Sequence, residues 1–414
     1  MQLPAKTEKA ILIGIEVLNE FKWAEFVELV KAAGAEVVGR VIQVRDKPDP
    51  AYFMGSGKAR FLAEQVISSS ADLVISIQQL TPVQIRNLEE ITGVRVIDRT
   101  DLILDIFAQR ALTKEGKLQV ELAQLSYMLP RMSGALGAES RSGGGIGTRG
   151  PGETNLEINR RHIRDRISDL RRQLEEVEKN RAIQRRQREK NEISSIALVG
   201  YTNAGKSSLF NRLTESGVSA QDRLFDTLDP VARKMILPDN KEVVLLDTVG
   251  FISDLPHQLV AAFKATLEET VRATLLIHVM DAGNPELPQQ FSAVQSVLAD
   301  LNIKNKPIYN VLNKIDTLSS KNGIVRLEKE WSATPISVRT GAGIDILLKE
   351  IINFFTAKAR KCRIRLPYHD AGLLERIHRN GKVLTVDYTD SGIIITVELD
   401  ESQLYTYQGL IIEE

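Results

Sequence analysis

The sequence predicts an α/β protein of several domains: a small parallel α/β domain with a helical hairpin, a larger α/β domain, and a small α+β module at the end. Three observations predict it. Short apolar runs alternate with helical patterns through the first hundred residues, the βαβ rhythm of a parallel sheet. Two stripes of apolar residues at heptad spacing flank a glycine-rich stretch, as in an antiparallel helical hairpin. Further on, the apolar run from Ile193 to Val199 ends in Gly-x-x-x-x-Gly-Lys-Ser and passes into a helical pattern ending at Leu213.

Composition narrows the classes. A chain of 414 residues has room for two to three domains, each with its own core. Lys+Arg and Asp+Glu both number 54, so any basic surface must be local. Cys362 is the only cysteine, which excludes an intrachain disulfide and reads as a small semi-buried hydrophobe. No apolar run approaches the roughly 20 residues of a membrane span, and the N-terminus has no signal-peptide layout. A soluble cytoplasmic monomer is expected.

In residues 1–110, strands are expected at Ala10 to Ile15, Glu36 to Gln43, Asp72 to Ile77 and Val94 to Ile97. Helices are expected at Phe21 to Ala33, Ala59 to Ser68 and Pro82 to Ile91. Met54-Gly55-Ser56-Gly57-Lys58 looks like a phosphate loop but lacks its spacing and an acidic metal partner. It reads as a turn that starts a helix.

Residues 111–192 are the expected hairpin, with helical pattern already continuous from 99 to 134. Leu118, Leu122, Leu125, Leu129 and Met132 form the first stripe. Leu156, Ile163, Ile167, Leu170, Leu174 and Val177 form the second. The loop from Glu139 to Gly152 is rich in glycine, carries Arg141 and Arg149 at the tip, and is expected to be disordered in the free protein. The second helix runs to about Lys190, and Arg160, Arg161, Arg164 and Arg171 are candidate RNA contacts. A solvated, salt-bridged face is the alternative. Arg outnumbers Lys there, which suits phosphate forks.

Residues 193–358 carry the chemistry. Gly200-Tyr201-Thr202-Asn203-Ala204-Gly205-Lys206-Ser207, with Ser208, is a loop whose N–H groups can turn inward on a polyphosphate at a helix N-terminus. Lys206 would reach the β- and γ-phosphates and Ser207 would ligate Mg²⁺. The strand pattern Val243 to Leu246 ends in Asp247-Thr248-Val249-Gly250: Asp247 for Mg²⁺, the Gly250 N–H for the γ-phosphate. Phe225 and Thr227 lie in the segment where a switch threonine is expected, Thr227 as a third Mg²⁺ ligand and γ-phosphate sensor. Asn313-Lys314-Ile315-Asp316 closes another strand pattern, and a carboxylate there can accept both N1–H and N2–H of guanine, which adenine cannot offer. Together the motifs predict a Ras-like GTPase domain.

Two positions depart from the usual pattern. Ser337-Val338-Arg339 stands where Ser-Ala-Lys usually backs the base, leaving main-chain contacts to do so. Phe251 follows Asp-x-x-Gly where Ras-like enzymes carry a water-orienting Gln. Phe cannot hydrogen-bond water, so hydrolysis should be slow alone. Residues 359–414 form the α+β module: strands at Cys362 to Leu366, Lys382 to Tyr388 and Ile393 to Leu399, with His369 to Arg379 helical.

The motifs, taken with those before them, resemble the HflX family of translational GTPases over roughly residues 8–357. The resemblance rests on Met54 to Lys58, Asp98-Arg99-Thr100-Asp101-Leu102-Ile103-Leu104-Asp105-Ile106-Phe107, Gly150-Pro151-Gly152-Glu153-Thr154 and the motifs above, with Asp254-Leu255-Pro256. It implies a GTPase that binds the large ribosomal subunit and its rRNA, is stimulated there, and splits stalled ribosomes under stress. A different class, an RNA-binding assembly factor that uses GTP only as a latch, would share the motifs. An ATP-driven helicase would need an acidic metal ligand in the N-terminal half, and none is evident.

Overall fold

The computed structural model describes residues 7–15, 20–132, 155–190, 194–214, 225, 231–252, 270–301, 303, 306–318, 320–356, 359–370, 372–400, 407 and 409–413. The chain divides into two compact units: residues 1–178 with 222–229 and 255–264, and the remainder.

The first unit holds a four-stranded parallel sheet in the order β2-β1-β3-β4, from β1 (Lys9–Gly14), β2 (Glu36–Ile42), β3 (Leu73–Ser76) and β4 (Arg95–Asp98). The central strands β1 and β3 are covered on both faces and read as apolar runs. Ile11, Ile13 and Val74 pack with Ala59, Leu62, Val66 and Leu88 of α2 (Ser56–Ser69) and α3 (Pro82–Thr92). Leu12, Leu73 and Ile75 are equally buried, as are Trp23, Phe26 and Leu29 of α1 (Glu20–Ala32) and Ile103 of α4 (Arg99–Arg110). The segment from Met54 to Lys58 does open a helix, at Ser56.

The helical stretch from 99 is not continuous. It breaks at Ala111-Leu112-Thr113, where the Thr113 side chain accepts from the Gly116 N–H and starts α5 (Lys114–Arg131). That is an N-cap, which supplies an acceptor to a helix-end donor. The buried face of α5 also differs from the expected leucine stripe. Gly116, Val120, Ala123 and Tyr127 are buried with Leu118, whereas Leu122, Leu125, Leu129 and Met132 are only half-buried. Small residues admit a closer neighbour than leucines would. Asp98 fixes the register: wholly buried, it caps α4 through Thr100 N and Asp101 N. It also accepts from Leu80 N, the Tyr127 hydroxyl and, at 2.6 Å, Arg131.

α6 (Asn155–Lys190) is 36 residues long, roughly 54 Å. Its stripe is buried at Ile167 and Leu170 and half-buried at Ile163, Leu174 and Val177. Arg166 grips Glu121 of α5 through two bonds, at 2.7 and 2.8 Å, which join the two helices at that point. Leu156, Arg141 and Arg149 lie outside the residues whose side chains are described.

The second unit holds a six-stranded sheet in the order β10-β9-β8-β5-β7-β6. Its strands are β5 (Ser194–Gly200), β6 (Val231–Ile236), β7 (Glu242–Asp247), β8 (Leu275–Asp281), β9 (Ile308–Asn313) and β10 (Ala333–Pro335), all parallel except β6. Helices α7 (Lys206–Thr214), α8 (Leu287–Asp300), α9 (Lys321–Trp331) and α10 (Ile344–Thr356) alternate with the strands. A second, antiparallel sheet of order β12-β13-β11-β14 closes the chain, from β11 (Ala359–Leu366), β12 (Lys382–Thr389), β13 (Gly392–Asp400) and β14 (Ile411–Glu413). Cys362, Ile364, Ile395 and Val397 of one face pack with Ile377 of α11 (Gly372–Asn380), so Cys362 is a buried hydrophobe.

Candidate functional site

The site gathers at the carboxyl ends of β5, β7, β8 and β9, where open α/β sheets place their ligands. Gly200 ends β5 with φ of 149°, and a Cβ there would lie 2.2 Å from the Val279 carbonyl oxygen of the neighbouring strand. Only glycine lets the chain leave the sheet so closely. Gly205, φ 94°, closes the loop against Asn313, whose Nδ2 would sit 2.2 Å from an added Cβ. α7 then starts at Lys206, giving the loop a helix N-terminus with its orphan N–H groups.

Lys206 is buried, 6% exposed, and its ammonium folds back to donate to the carbonyls of Tyr201 at 2.8 Å and Gly200 at 3.2 Å. Burial pulls its pKa down to about 8, against the opposing pull of the nearby Asp247 carboxylate. Asp247 ends β7 wholly buried, in register with Leu198 of β5. The chain beyond it is zipped to the phosphate loop, with Thr202 N donating to Phe251 O at 2.8 Å and Phe251 N to Gly200 O at 3.1 Å. That bridge carries Gly250 over the loop, where an added Cβ would be 3.0 Å from Lys206 Nζ. The Phe251 ring is 2% exposed, so it fills core and offers nothing polar to the loop.

The second half of the site hangs from Asn313. Its Nδ2 donates to Ala204 O at 2.9 Å and its Oδ1 accepts from Val338 N at 3.1 Å. One side chain thereby joins the phosphate loop to the segment 337–339. Lys314 adopts φ of 63° and pairs with Asp281, at the end of β8, at 2.8 Å. Asp316 accepts the Ser337 hydroxyl at 2.6 Å on Oδ1 and pairs with the largely exposed Arg339 at 2.9 Å through Oδ2. The Ser337 hydrogen bond, helped by Arg339 and Lys314, holds the Asp316 carboxyl below the usual carboxylate range. A carboxylate fixed this way stays an acceptor at neutral pH.

The structure therefore brings together Gly200 to Ser208, Asp247, Gly250, Asn313, Lys314, Asp316 and Ser337 to Arg339. Phe225 is not among them: it belongs to the first unit, where its ring meets that of Phe107 edge-on at 4.7 Å. Thr227 lies outside the described residues. Sequence reasoning missed Asp281 and Arg212, whose guanidinium donates to Val338 O at 3.1 Å. Asp281 at a strand end was the available signal. Mg²⁺ suits the donor set: Ser207 and Asp247 offer hard oxygens at the loop. Among the described residues no group of three or more His, Cys, Asp or Glu could hold a metal unaided.

A glycine loop on a helix N-terminus, an Asp-x-x-Gly strand end zipped to it and a bridged Asn-Lys-x-Asp define a P-loop GTPase domain. Three family descriptions match the chain: GTP-binding GTPase N-terminal at residues 20–108, GTP-binding GTPase Middle Region at 110–188, and 50S ribosome-binding GTPase at 195–314. The GTPase HflX of Caldanaerobacter subterraneus subsp. tengcongensis is 46% identical over 96% of this chain and 92% of its own length. That of Escherichia coli K12 is 46% identical over 90% and 88%. A GTP-binding protein from Sulfolobus solfataricus, solved in complex with GDP, is 27% identical with a TM-score of 0.46, over 84% of this chain and 98% of that one. The chain belongs to the HflX family of GTPases, and it binds and hydrolyses GTP.

Proposed function

We propose that the chain is a cytoplasmic, monomeric factor that docks on the large ribosomal subunit and its rRNA, and uses GTP to dissociate stalled or idle ribosomes under stress. The observation that carries this reading is the match of residues 195–314 to a 50S ribosome-binding GTPase. The long arginine-rich α6 supports it. Arg161, Arg164 and Arg171 are exposed along that helix, while Arg166 and Arg172 are engaged by Glu121 and Asp169. Such a rod is electrostatically suited to an RNA groove.

In this reading the N–H groups of Gly200 to Ser208 cradle the phosphates, and Lys206 leaves its two loop carbonyls for the β- and γ-phosphates. Ser207, Asp247 and Thr227 hold Mg²⁺, which neutralises charge on the phosphates. Asp316 reads guanine, and Asn313, Lys314, Ser337, Val338 and Arg339 shape its pocket. Gly250 meets the γ-phosphate. With Phe251 buried, the water-orienting function that a Gln would supply comes from the ribosome.

Sedimentation with isolated large subunits tests the reading. Binding should be strong with a non-hydrolysable GTP analogue and weak with GDP. Equal binding in both states would contradict GTP-controlled docking, no binding would remove both readings, and GTP-dependent binding that leaves the monosome fraction unchanged would leave only the GTP-latched assembly factor.

A further inference from the structure

Thr202 is the third residue of the phosphate loop, and the proposed function makes no use of its side chain. The residue is 6% exposed, and its hydroxyl is buried with no hydrogen-bond partner among the described residues. Two other buried threonines satisfy theirs on main-chain carbonyls: Thr92 donates to Leu88 O at 2.7 Å and Thr248 to Leu198 O at 2.6 Å. Ser76 and Thr270 share the trait of Thr202, but outside the phosphate loop. A buried hydroxyl left unpaired costs free energy, so one at a binding loop asks for a partner that the protein does not supply.

The loop itself offers that hydroxyl little. The carbonyls of Gly200 and Tyr201 accept from the Lys206 ammonium, Gly200 O accepts from Phe251 N as well, and Ala204 O accepts from Asn313 Nδ2. The Thr202 N–H is spent too, on Phe251 O at 2.8 Å. The hydroxyl is therefore the donor that Thr202 has left for a ligand.

Its neighbours decide which part of the ligand it meets. A Cβ added at Gly250 would lie 2.8 Å from Thr202 Cγ2, 2.9 Å from Thr202 Cα and 3.0 Å from Lys206 Nζ. Thr202, the lysine ammonium and the glycine of Asp-x-x-Gly thus converge on one point, the γ-phosphate end of the site. The β-phosphate belongs farther along the loop, with the N–H groups where α7 begins at Lys206.

We propose that the Thr202 hydroxyl donates a hydrogen bond to a γ-phosphate oxygen of GTP and so discriminates the triphosphate from GDP. This rests on the reading of the loop as the GTP phosphate site, and not on the ribosome. When Lys206 leaves its two loop carbonyls, the γ-phosphate comes in beside Gly250 and against Thr202. The N–H of the same residue holds Phe251 O, which ties the γ-phosphate contact to the chain that follows Asp-x-x-Gly.

The test uses the full chain in two variants. Thr202→Val keeps the shape and the methyl against Gly250 but removes the hydroxyl, and Thr202→Ser keeps the hydroxyl. Affinities for a fluorescent non-hydrolysable GTP analogue and for fluorescent GDP are measured with Mg²⁺ present. Thr202→Val should bind the analogue about tenfold or more weakly, as expected for losing a hydrogen bond to a charged group, with GDP affinity unchanged. Thr202→Ser should keep the wild-type ratio of the two affinities. Without nucleotide, Thr202→Val should unfold at the same temperature as wild type or higher, because no hydrogen bond within the protein is lost. Analogue affinity that is unchanged, or that falls only as far as GDP affinity does, overturns the proposal. So does a lowered thermal midpoint without nucleotide. Lys206→Met is the control for the loop: if it spares both nucleotides, the phosphate-site reading itself fails. If it weakens binding while Thr202→Val treats the two nucleotides alike, only this inference fails.

Discussion

Asn313 ties the two halves of the GTP site together through Ala204: its amide donates to that loop carbonyl at 2.9 Å. Its other end accepts from Val338 N at 3.1 Å, and the side chain is 2% exposed. Asn313→Ala would strand a buried carbonyl and a buried N–H. Each orphan costs about 1–3 kcal/mol. The expected outcome is a loss of about 2–4 kcal/mol in urea unfolding and GTP affinity lower by about tenfold or more, read by a fluorescent nucleotide.

Asp316→Asn should turn base preference from guanine to xanthine. The amide presents a donor where guanine N1–H needs an acceptor, while xanthine offers a carbonyl. GTP affinity should fall about 10- to 100-fold, the range for losing a charge-assisted pair. Competition with xanthosine triphosphate checks it, and undiminished GTP affinity would remove Asp316 from the base pocket.

Lys206 makes stability depend on pH. Its pKa drops from 10.5 to about 8 on folding because burial disfavours the ammonium. Folded protein therefore holds that proton less tightly than unfolded chain, so stability present above 10.5 is lost as pH falls from there to about 8. The gap corresponds to about 3 kcal/mol at most. Lys206→Met should be more stable than wild type near neutral pH when both are nucleotide-free, with the difference closing as the pH rises toward 10.5. The same variant should bind GTP poorly. A difference that does not vary with pH would contradict the buried ammonium.

Asp98 anchors α5 to the first unit through Tyr127, Arg131 and Leu80 N. Asp98→Ala leaves Arg131 half-buried without that carboxylate, a change of the kind that costs about 3–5 kcal/mol. A thermal transition of the first unit lowered by several degrees is expected. An unchanged transition would mean the cluster is not what holds the hairpin base.

The sheets of the two α/β domains were legible because strands buried on both faces leave unbroken apolar runs, as in Ile196 to Val199. The phosphate loop was legible because Gly200 and Gly205 are fixed by close approaches that no side chain survives. The face of α5 was not. Heptad spacing favours the leucines Leu122, Leu125 and Leu129, yet Gly116, Val120, Ala123 and Tyr127 are what pack, because small residues allow a close approach and Tyr127 reaches Asp98. The three-residue β14 pairs with distant β11 and has no local pattern to announce it. Asp281 with Lys314, and Arg212 with Val338, are polar pairings between remote segments, and no sequence period encodes them.

In the proposed function, GTP binding drives this chain to separate ribosomal subunits. Light scattering of 70S ribosomes measures it directly. Adding the protein with GTP should lower the scattering toward that of free subunits, and GDP should leave it unchanged. The Lys206→Met variant should have no effect with either nucleotide. Ribosomes that bind the protein with GTP yet keep full scattering would contradict the account.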